Sequence, residues 1–398
     1  MRRHAAVLFT ATLLLLHMLP QTTQAQGKPR ARDLGIPFDG TPGPLNAITD
    51  VRGVEVGHTT LISGDGALKV GAGPVRTGVT AILPRGEQSS NDPAFAGWFS
   101  LNGNGEMTGT TWVEESGFLE GPLMITNTHS VGAVRDAVIA WRVKQGGPDQ
   151  SGYWWSLPVV AETYDGYLND VNGFHVKEGH VFSALDGAAG GRVAEGNVGG
   201  GTGMICYEFK GGIGTASRKL SEKRGGYTVG VLVQCNCGRR SQLSIAGVPV
   251  GREITENTLA DYYGPDRAAD TGSIIIVVGT DAPLMPHQMK RLARRAAMGL
   301  ARTGSVSGNG SGDIFIAFST ANTRASASSG LAQLTMLPND RMDPLFEATV
   351  QATEEAIVNA LVAAETMTGI NNHKVIALPH DRLREVMKKY NRLVEAKQ

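Results

Sequence analysis

Apolar residues along this chain gather in short runs set apart by polar, glycine-rich turns. Runs of this kind read as buried or half-buried strands, here over 51–56, 79–83, 123–126, 156–161, 227–233, 274–278 and 314–319. Helical spacing replaces the short runs in four places. Residues 131–143 set Val131, Val134, Val138 and Trp141 on one face, and 286–302 sets Met289, Leu292, Ala296 and Leu300 inward with Gly304 as a stop. Asp343-Pro344 opens a long helix over 345–367 with Gly369 at its end, where Ala356, Ala360 and Ala364 make a thin face for close packing. A charged helix is expected from about 381 to 396. The glycine-dense stretch 190–214 reads as loops, and 253–271, without periodicity, as a surface linker. Strands mixed with helices long enough to cover them predict a layered α/β sandwich.

Composition narrows the classes of function. The 37 Lys and Arg balance 37 Asp and Glu among 398 residues, so no global field draws in nucleic acid or an anionic membrane. A small or peptidic ligand fits better. Glycine is abundant, 52 residues, without a Gly-X-Y period, which excludes collagen and favours a globular fold rich in tight turns. Arg2 and Arg3 precede an apolar stretch, 5–19, and then small residues, which is the layout of a secretory signal cleaved after Ala25. The stretch falls short of the roughly 20 residues that a membrane span needs.

Three cysteines, Cys206, Cys235 and Cys237, cannot close a full disulfide set, and the spacing of the last two is tight for a bridge. They read as small buried hydrophobes, and they lack the companion ligands of a zinc site.

Metal-dependent hydrolysis finds no support in the nine histidines, which are scattered and form no His-Glu-x-x-His; His175 and His180 stand five apart, off a common helix face. No metal or cofactor is expected. The glycines form neither a Walker pattern nor a dinucleotide fingerprint, and no Gly-x-Ser-x-Gly elbow is present. Attention therefore falls on Gly272-Ser273, where a polar segment meets the apolar run 274–278. A chain cut between these residues would expose Ser273 with its own α-amine beside it. With a pKa near 8, that amine can take the proton that makes a hydroxyl nucleophilic. Without cleavage, the dipeptide is a turn feeding a strand.

Three further clusters carry candidate chemistry. Asn309-Gly310-Ser311-Gly312-Asp313 runs into the strand 314–319; it can be a hairpin turn, or a place where backbone and carboxylate approach a reacting centre. Glu162-Thr163-Tyr164-Asp165 ends an apolar run with an acid able to hold a substrate ammonium. Asn236 follows the strand 227–233 and can offer its amide to an oxyanion.

Taken in order, Arg32-Asp33-Leu34-Gly35-Ile36, Asn46-Ala47-Ile48-Thr49-Asp50-Val51, Val56-Gly57-His58, Glu162 with Tyr164, Val233-Gln234-Cys235-Asn236, Thr271-Gly272-Ser273 and Ser311-Gly312-Asp313 resemble the L-aminopeptidase/D-esterase and β-peptidyl aminopeptidase family. The resemblance spans nearly all of the chain after the signal. It implies a four-layer αββα sandwich, similar to the N-terminal nucleophile hydrolases but connected differently. It also implies self-cleavage before Ser273, giving a larger fragment, 26–272, and a smaller one, 273–398, of a single catalytic domain after a signal peptide, 1–25. Ser273 would be both cleavage-site residue and nucleophile, with Ser311 and Asp313 completing its hydrogen-bonded network. Asn236 and Tyr164 would stabilise the oxyanion, and Glu162 would bind the free amine of the substrate. Asp313 stands where members of the family carry Glu, a carboxylate one methylene longer.

The expected activity is that of an exported, periplasmic or secreted serine aminopeptidase. Its substrates would be small peptides, amides or esters with a free amine, β-amino and D-residues included. A homotetramer of fragment pairs is implied. An acyltransferase of the ornithine-acetyltransferase type, in which threonine commonly opens the second fragment, is the alternative on the same architecture. A non-catalytic peptide-binding protein would keep its chain intact.

Overall fold

The computed structural model describes residues 28–146, 155–259, 272–327 and 329–394. The expected signal, 1–25, and most of the expected linker, 260–271, lie outside the described residues. The fold is mixed α/β, with seven α-helices among the described residues.

One sheet has four strands, in the order β1 (Glu55–Ser63), β2 (Val75–Glu87), β5 (Leu123–Asn127), β6 (Val159–Thr163). Only β5 and β6 run parallel. The other has six, in the order β4 (Phe118–Leu119), β3 (Ala94–Gly103), β12 (Gly312–Ser319), β11 (Ser273–Thr280), β10 (Thr228–Asn236), β9 (Gly212–Lys219). Here β11 and β12 are the parallel pair.

Three cores hold these sheets. The outer face of the four-stranded sheet packs on α2 (Val131–Lys144) and α3 (Glu178–Asp186) through Val79, Ala81, Met124, Val134, Val138 and Leu185. Strand residues of both sheets share a second core, Ile82, Leu123 and Ile125 meeting Leu232, Ile275, Val277 and Ile316. A third joins the six-stranded sheet to α5 (Pro286–Arg302) and α6 (Asp343–Ala363), with Ile274, Ile276 and Phe315 against Met289, Leu292, Ala356 and Leu361. The strand β11 is buried along its whole length, which explains why its Ile and Val run is continuous rather than alternating. In β9, a β-carbon on Gly214 would collide with the Ala356 carbonyl, so the glycine lets α6 lie directly on the sheet. Smaller pieces are α1 (Thr110–Ser116) on β3, and α4 (Val250–Glu253) against α7 (His380–Lys389). Two short hairpins pair β7 (Ile205–Cys206) with β8 (Phe209–Lys210) and β13 (Met367–Thr368) with β14 (Lys374–Val375).

Several expectations shift. The strand expected at 51–56 starts only at Glu55, because Gly53 turns the chain at φ +89°. That expected at 156–161 begins after Pro158, whose missing N–H keeps it out of the ladder. The glycine-dense stretch is not all loop: it holds β7, β8 and the start of β9. The long helix stops at Ala363 rather than at 367, leaving Ala364 extended at ψ 147°. There the Asn197 side chain accepts from the Glu365 N–H at 3.0 Å and donates to the Glu365 carbonyl at 2.8 Å, fixing the extended backbone. The last helix ends at Lys389, since Asn391 turns left-handed. Residues 309–313 form no hairpin, because β12 pairs with β11 in parallel and with β3 antiparallel. The cysteines also need correcting. Cys206 and Cys235 are joined as a disulfide with Cα atoms 5.7 Å apart, while Cys237 is buried beside them.

Candidate active site

The order of the central strands brings the chemistry together. Ser273 opens β11 and stands level with Asn236, the last residue of β10, on one side. On the other it is level with Gly312, the first residue of β12. Adjacent strands lie about 4.8 Å apart, so residues from three distant segments meet at one mouth of the sheet. The Gly272 carbonyl accepts from the Gly312 N–H at 3.2 Å, which places the bond between Gly272 and Ser273 at the same mouth.

Ser311 and Asp313 flank Gly312, both fully buried. The Ser311 hydroxyl donates to Asp313 Oδ1 at 2.7 Å. The shorter acid is thus linked to the neighbouring serine. Alternation along β12 turns both side chains to the helix-covered face with Phe315 and Ala317, whereas the Ser273 side chain shares the inter-sheet face of Ile275 and Val277.

Asn236 is also buried, and its amide is oriented at both ends. Its Oδ1 accepts from the Ile205 N–H at 2.7 Å, and its Nδ2 donates to the Tyr164 carbonyl at 3.0 Å. These partners fix which end is the donor, and the second Nδ2 hydrogen is left to offer. Tyr164 reaches this amide with its backbone. Its phenol folds over Gly166, and its pKa is raised by burial and by the Asp165 carboxylate.

Glu162 comes from the other sheet, level with Thr126 on β5. Its Oε1 accepts from the Glu106 N–H at 3.0 Å and its Oε2 from the Thr128 hydroxyl. Burial raises its pKa, against those two hydrogen bonds; the Glu106 carboxylate adds to the rise and His129 opposes it. Gly105 links the two halves. A β-carbon there would lie 3.1 Å from Gly312 Cα and 3.3 Å from Glu162 Oε1. In turn, a β-carbon on Gly312 would collide with the Asn104 carbonyl. The two glycines therefore let the loop 104–106 pass between β12 and Glu162.

Of the residues expected at the site, Gly272, Ser273 and Asn236 come together at one sheet mouth, with Ser311 and Asp313 on the adjoining strand; Tyr164 reaches it only through its carbonyl, and Glu162 lies across Gly105. Gly105, Glu106, Thr128 and His129 were not anticipated. Asn104-Gly105, and the polar residues 127–129 after the strand expected at 123–126, carry only a loop signal in sequence.

Residues 46–375 match peptidase family S58. The chain belongs to this family. It is 57% identical over 389 residues to the β-peptidyl aminopeptidase BapA of Sphingosinicella microcystinivorans, covering 96% of this chain and 97% of that protein. Among solved structures it resembles the L-aminopeptidase D-Ala-esterase/amidase of Ochrobactrum anthropi, a prototype serine aminopeptidase with a variant of the Ntn hydrolase fold. That similarity has a TM-score of 0.84 at 50% identity, over 92% of this chain and 100% of the other. A β-aminopeptidase from Burkholderia sp. gives 0.81 at 47%, over 93% and 100%. This S58 member is accordingly a hydrolase of the aminopeptidase class.

Proposed function

We propose that the protein is an exported, self-processing serine aminopeptidase with Ser273 as its nucleophile. The observation that carries this reading is the level placement of Ser273 between Asn236 and Gly312, with Glu162 reached across Gly105. In the uncut chain the Ser273 hydroxyl attacks the Gly272 carbonyl carbon. The Gly312 N–H, already on that carbonyl oxygen, is in place for the charge that develops there. The amide nitrogen leaves as the free amine of Ser273, an ester forms, and water cleaves it to a Gly272 carboxylate and a free hydroxyl. The fragments 26–272 and 273–398 remain interleaved, since β10, β11 and β12 belong to one sheet. Their three cores stack as a four-layer αββα sandwich.

Turnover reuses the mouth. The α-amine of Ser273 takes the hydroxyl proton, and Ser311 with Asp313 holds that amine in place. The hydroxyl attacks the first amide carbonyl of a bound peptide while the free Asn236 amide hydrogen receives the oxyanion. Protonation of the leaving nitrogen releases the remainder, and water frees the acyl group. Glu162 holds the ammonium of the substrate. The Tyr164 carbonyl orients Asn236, and its phenol would join the oxyanion only after leaving Gly166.

Substrates are small peptides, amides and esters with a free amine. Similarity to a β-peptidyl aminopeptidase across almost the whole chain supports β-amino residues among them. A homotetramer of fragment pairs, in the periplasm or secreted, completes the reading. Ser273→Ala tests it: the variant should stay full-length, fold and lose peptidase activity. Normal turnover of β-alanyl p-nitroanilide by that variant would overturn the assignment.

A further inference from the structure

The residues on either side of Asn236 are cysteines, and the proposed chemistry uses neither. Cys235 is bridged to Cys206, and the Cys237 sulfur lies 3.9 Å from that of Cys235. All three are buried, their sulfurs within 4.8 Å of one another. The location of the bridge is informative. Cys206 follows Ile205, whose N–H donates to Asn236 Oδ1 at 2.7 Å, and precedes Tyr207, whose N–H donates to the Cys237 carbonyl at 2.7 Å. The disulfide therefore ties segment 205–207 to segment 235–237 beside the hydrogen bond that orients the Asn236 amide. The tie has work to do, because β7 and β8 form a hairpin of only two residues per strand, too short to hold its place by its own ladder.

We propose that the Cys206–Cys235 disulfide is a redox-set positioning element for Asn236, with Cys237 as its exchange partner. The proposal rests on the reading of Asn236 as the oxyanion donor. Exchange needs no outside reagent. The Cys237 thiolate, 3.9 Å away, attacks the Cys235 sulfur; the bond to Cys206 breaks as a tight bridge forms between 235 and 237, which bends the chain around Asn236, and Cys206 leaves as a thiolate that takes up the displaced proton. Reduction needs a dithiol, which gives two electrons and two protons to the bridge and becomes a disulfide itself. Either event removes the covalent tie and leaves Ile205 held against Asn236 by hydrogen bonds alone. Because the sulfurs are buried, the state is set while the chain folds or when the 205–210 hairpin lifts.

The test compares protein produced in a reducing cytosol with protein produced in an oxidising one, each unfolded in N-ethylmaleimide and mapped by peptide mass. The oxidised sample should show Cys206 joined to Cys235 with Cys237 labelled. The sample with three labelled thiols should show kcat on β-alanyl p-nitroanilide lower by about 10- to 100-fold with KM little changed, as expected for a misplaced catalytic group. Oxidised glutathione should restore it. Cys206→Ala should match the reduced enzyme and ignore glutathione; if that variant does not fold, reduced wild type carries the test alone. Three labelled thiols in the oxidised sample, or full kcat with three thiols present, would overturn the proposal. Asn236→Ala separates the layers. Low activity in that variant together with redox-insensitive wild type removes only the role of the disulfide, whereas full activity in Asn236→Ala removes the oxyanion assignment beneath it.

Discussion

The two halves of the site are built by different means. At the mouth of the six-stranded sheet, Ser273, Asn236 and Gly312 hold their places by ladder register, inside a sheet packed on both faces. On the four-stranded sheet, Glu162 stands at a strand end beneath the exposed loop 104–106, held by one backbone N–H and one hydroxyl. Register fixes which backbone atoms stand level and allows little adjustment, which suits bond making. A carboxylate under a loop tolerates change and can be retuned, which suits recognition. The first half should therefore fail in kcat and the second in KM.

Asn236→Ala should give the largest separation, lowering kcat by about 10²–10³-fold, roughly 3–4 kcal/mol, on amine-bearing and amine-blocked esters alike. Steady-state kinetics on both substrates checks this, and selective loss on the amine-bearing one would move Asn236 to the recognition half. Glu162→Gln should do the reverse. We expect kcat/KM for free-amine substrates to fall about 10- to 100-fold, in line with loss of a buried charge partner, while blocked esters and self-cleavage are spared.

The pH dependence sharpens the same contrast. Burial holds the Glu162 pKa above the ordinary carboxylate range. As pH falls through that raised value the carboxylate takes a proton, and on the proposed reading it would then lose its hold on a substrate ammonium. The acid limb of kcat/KM should thus lie above that of an exposed carboxylate and vanish in Glu162→Gln. A limb unchanged in the variant would assign it to another group.

Gly105→Ala should have a smaller effect. Its β-carbon would meet the Gly312 backbone at 3.1 Å, tight without an outright clash, so the exposed loop shifts by a few tenths of an ångström. KM should rise several-fold with kcat nearly unchanged. A larger fall in kcat than rise in KM would show that the loop serves the nucleophile.

The smallest effect concerns stability. Asp165 sits under the site, fully buried, with Oδ1 accepting from Asn169 at 3.0 Å, and burial pushes its pKa from 3.8 to about 7. The folded protein then holds a proton that the unfolded chain gives up, so this group's contribution is full below 3.8 and is lost as pH rises toward 7. The fall in Tm over that window should be shallower in Asp165→Asn. It should not disappear, since Glu195 is raised to about 7 in the same way.

Much of this was legible in sequence because it rests on local pattern. The continuous Ile and Val run after Ser273 announces a strand buried on both faces, and Pro286 and the apolar spacing after it mark α5. What escaped depends on partners far along the chain. The strand β3 carries Gly97 and Gly103, and its register with β12 comes only from the assembled sheet. The strand β9, buried on both faces, is masked in sequence by Gly212, which makes room for Gly196, and by Gly214, which makes room for α6. The end of α6 depends on Asn197, more than 160 residues away in sequence. At the site, the catalytic candidates stand out as unusual residue types at strand ends. Gly105 and Thr128 do not, because their part is to allow close approach and to supply one hydroxyl. The disulfide was missed for a related reason: Cys206 and Cys235 are 29 residues apart, and only the β7 hairpin folding onto β10 brings them together.

On the proposed reading, the register of β11 between β10 and β12 serves a serine that frees its own amine. The most direct measurement is the intact mass of the purified wild-type protein under denaturing conditions, with N-terminal sequencing of each species. Two chains are expected, one of them beginning at Ser273. A single uncut chain with full peptidase activity would contradict that reading.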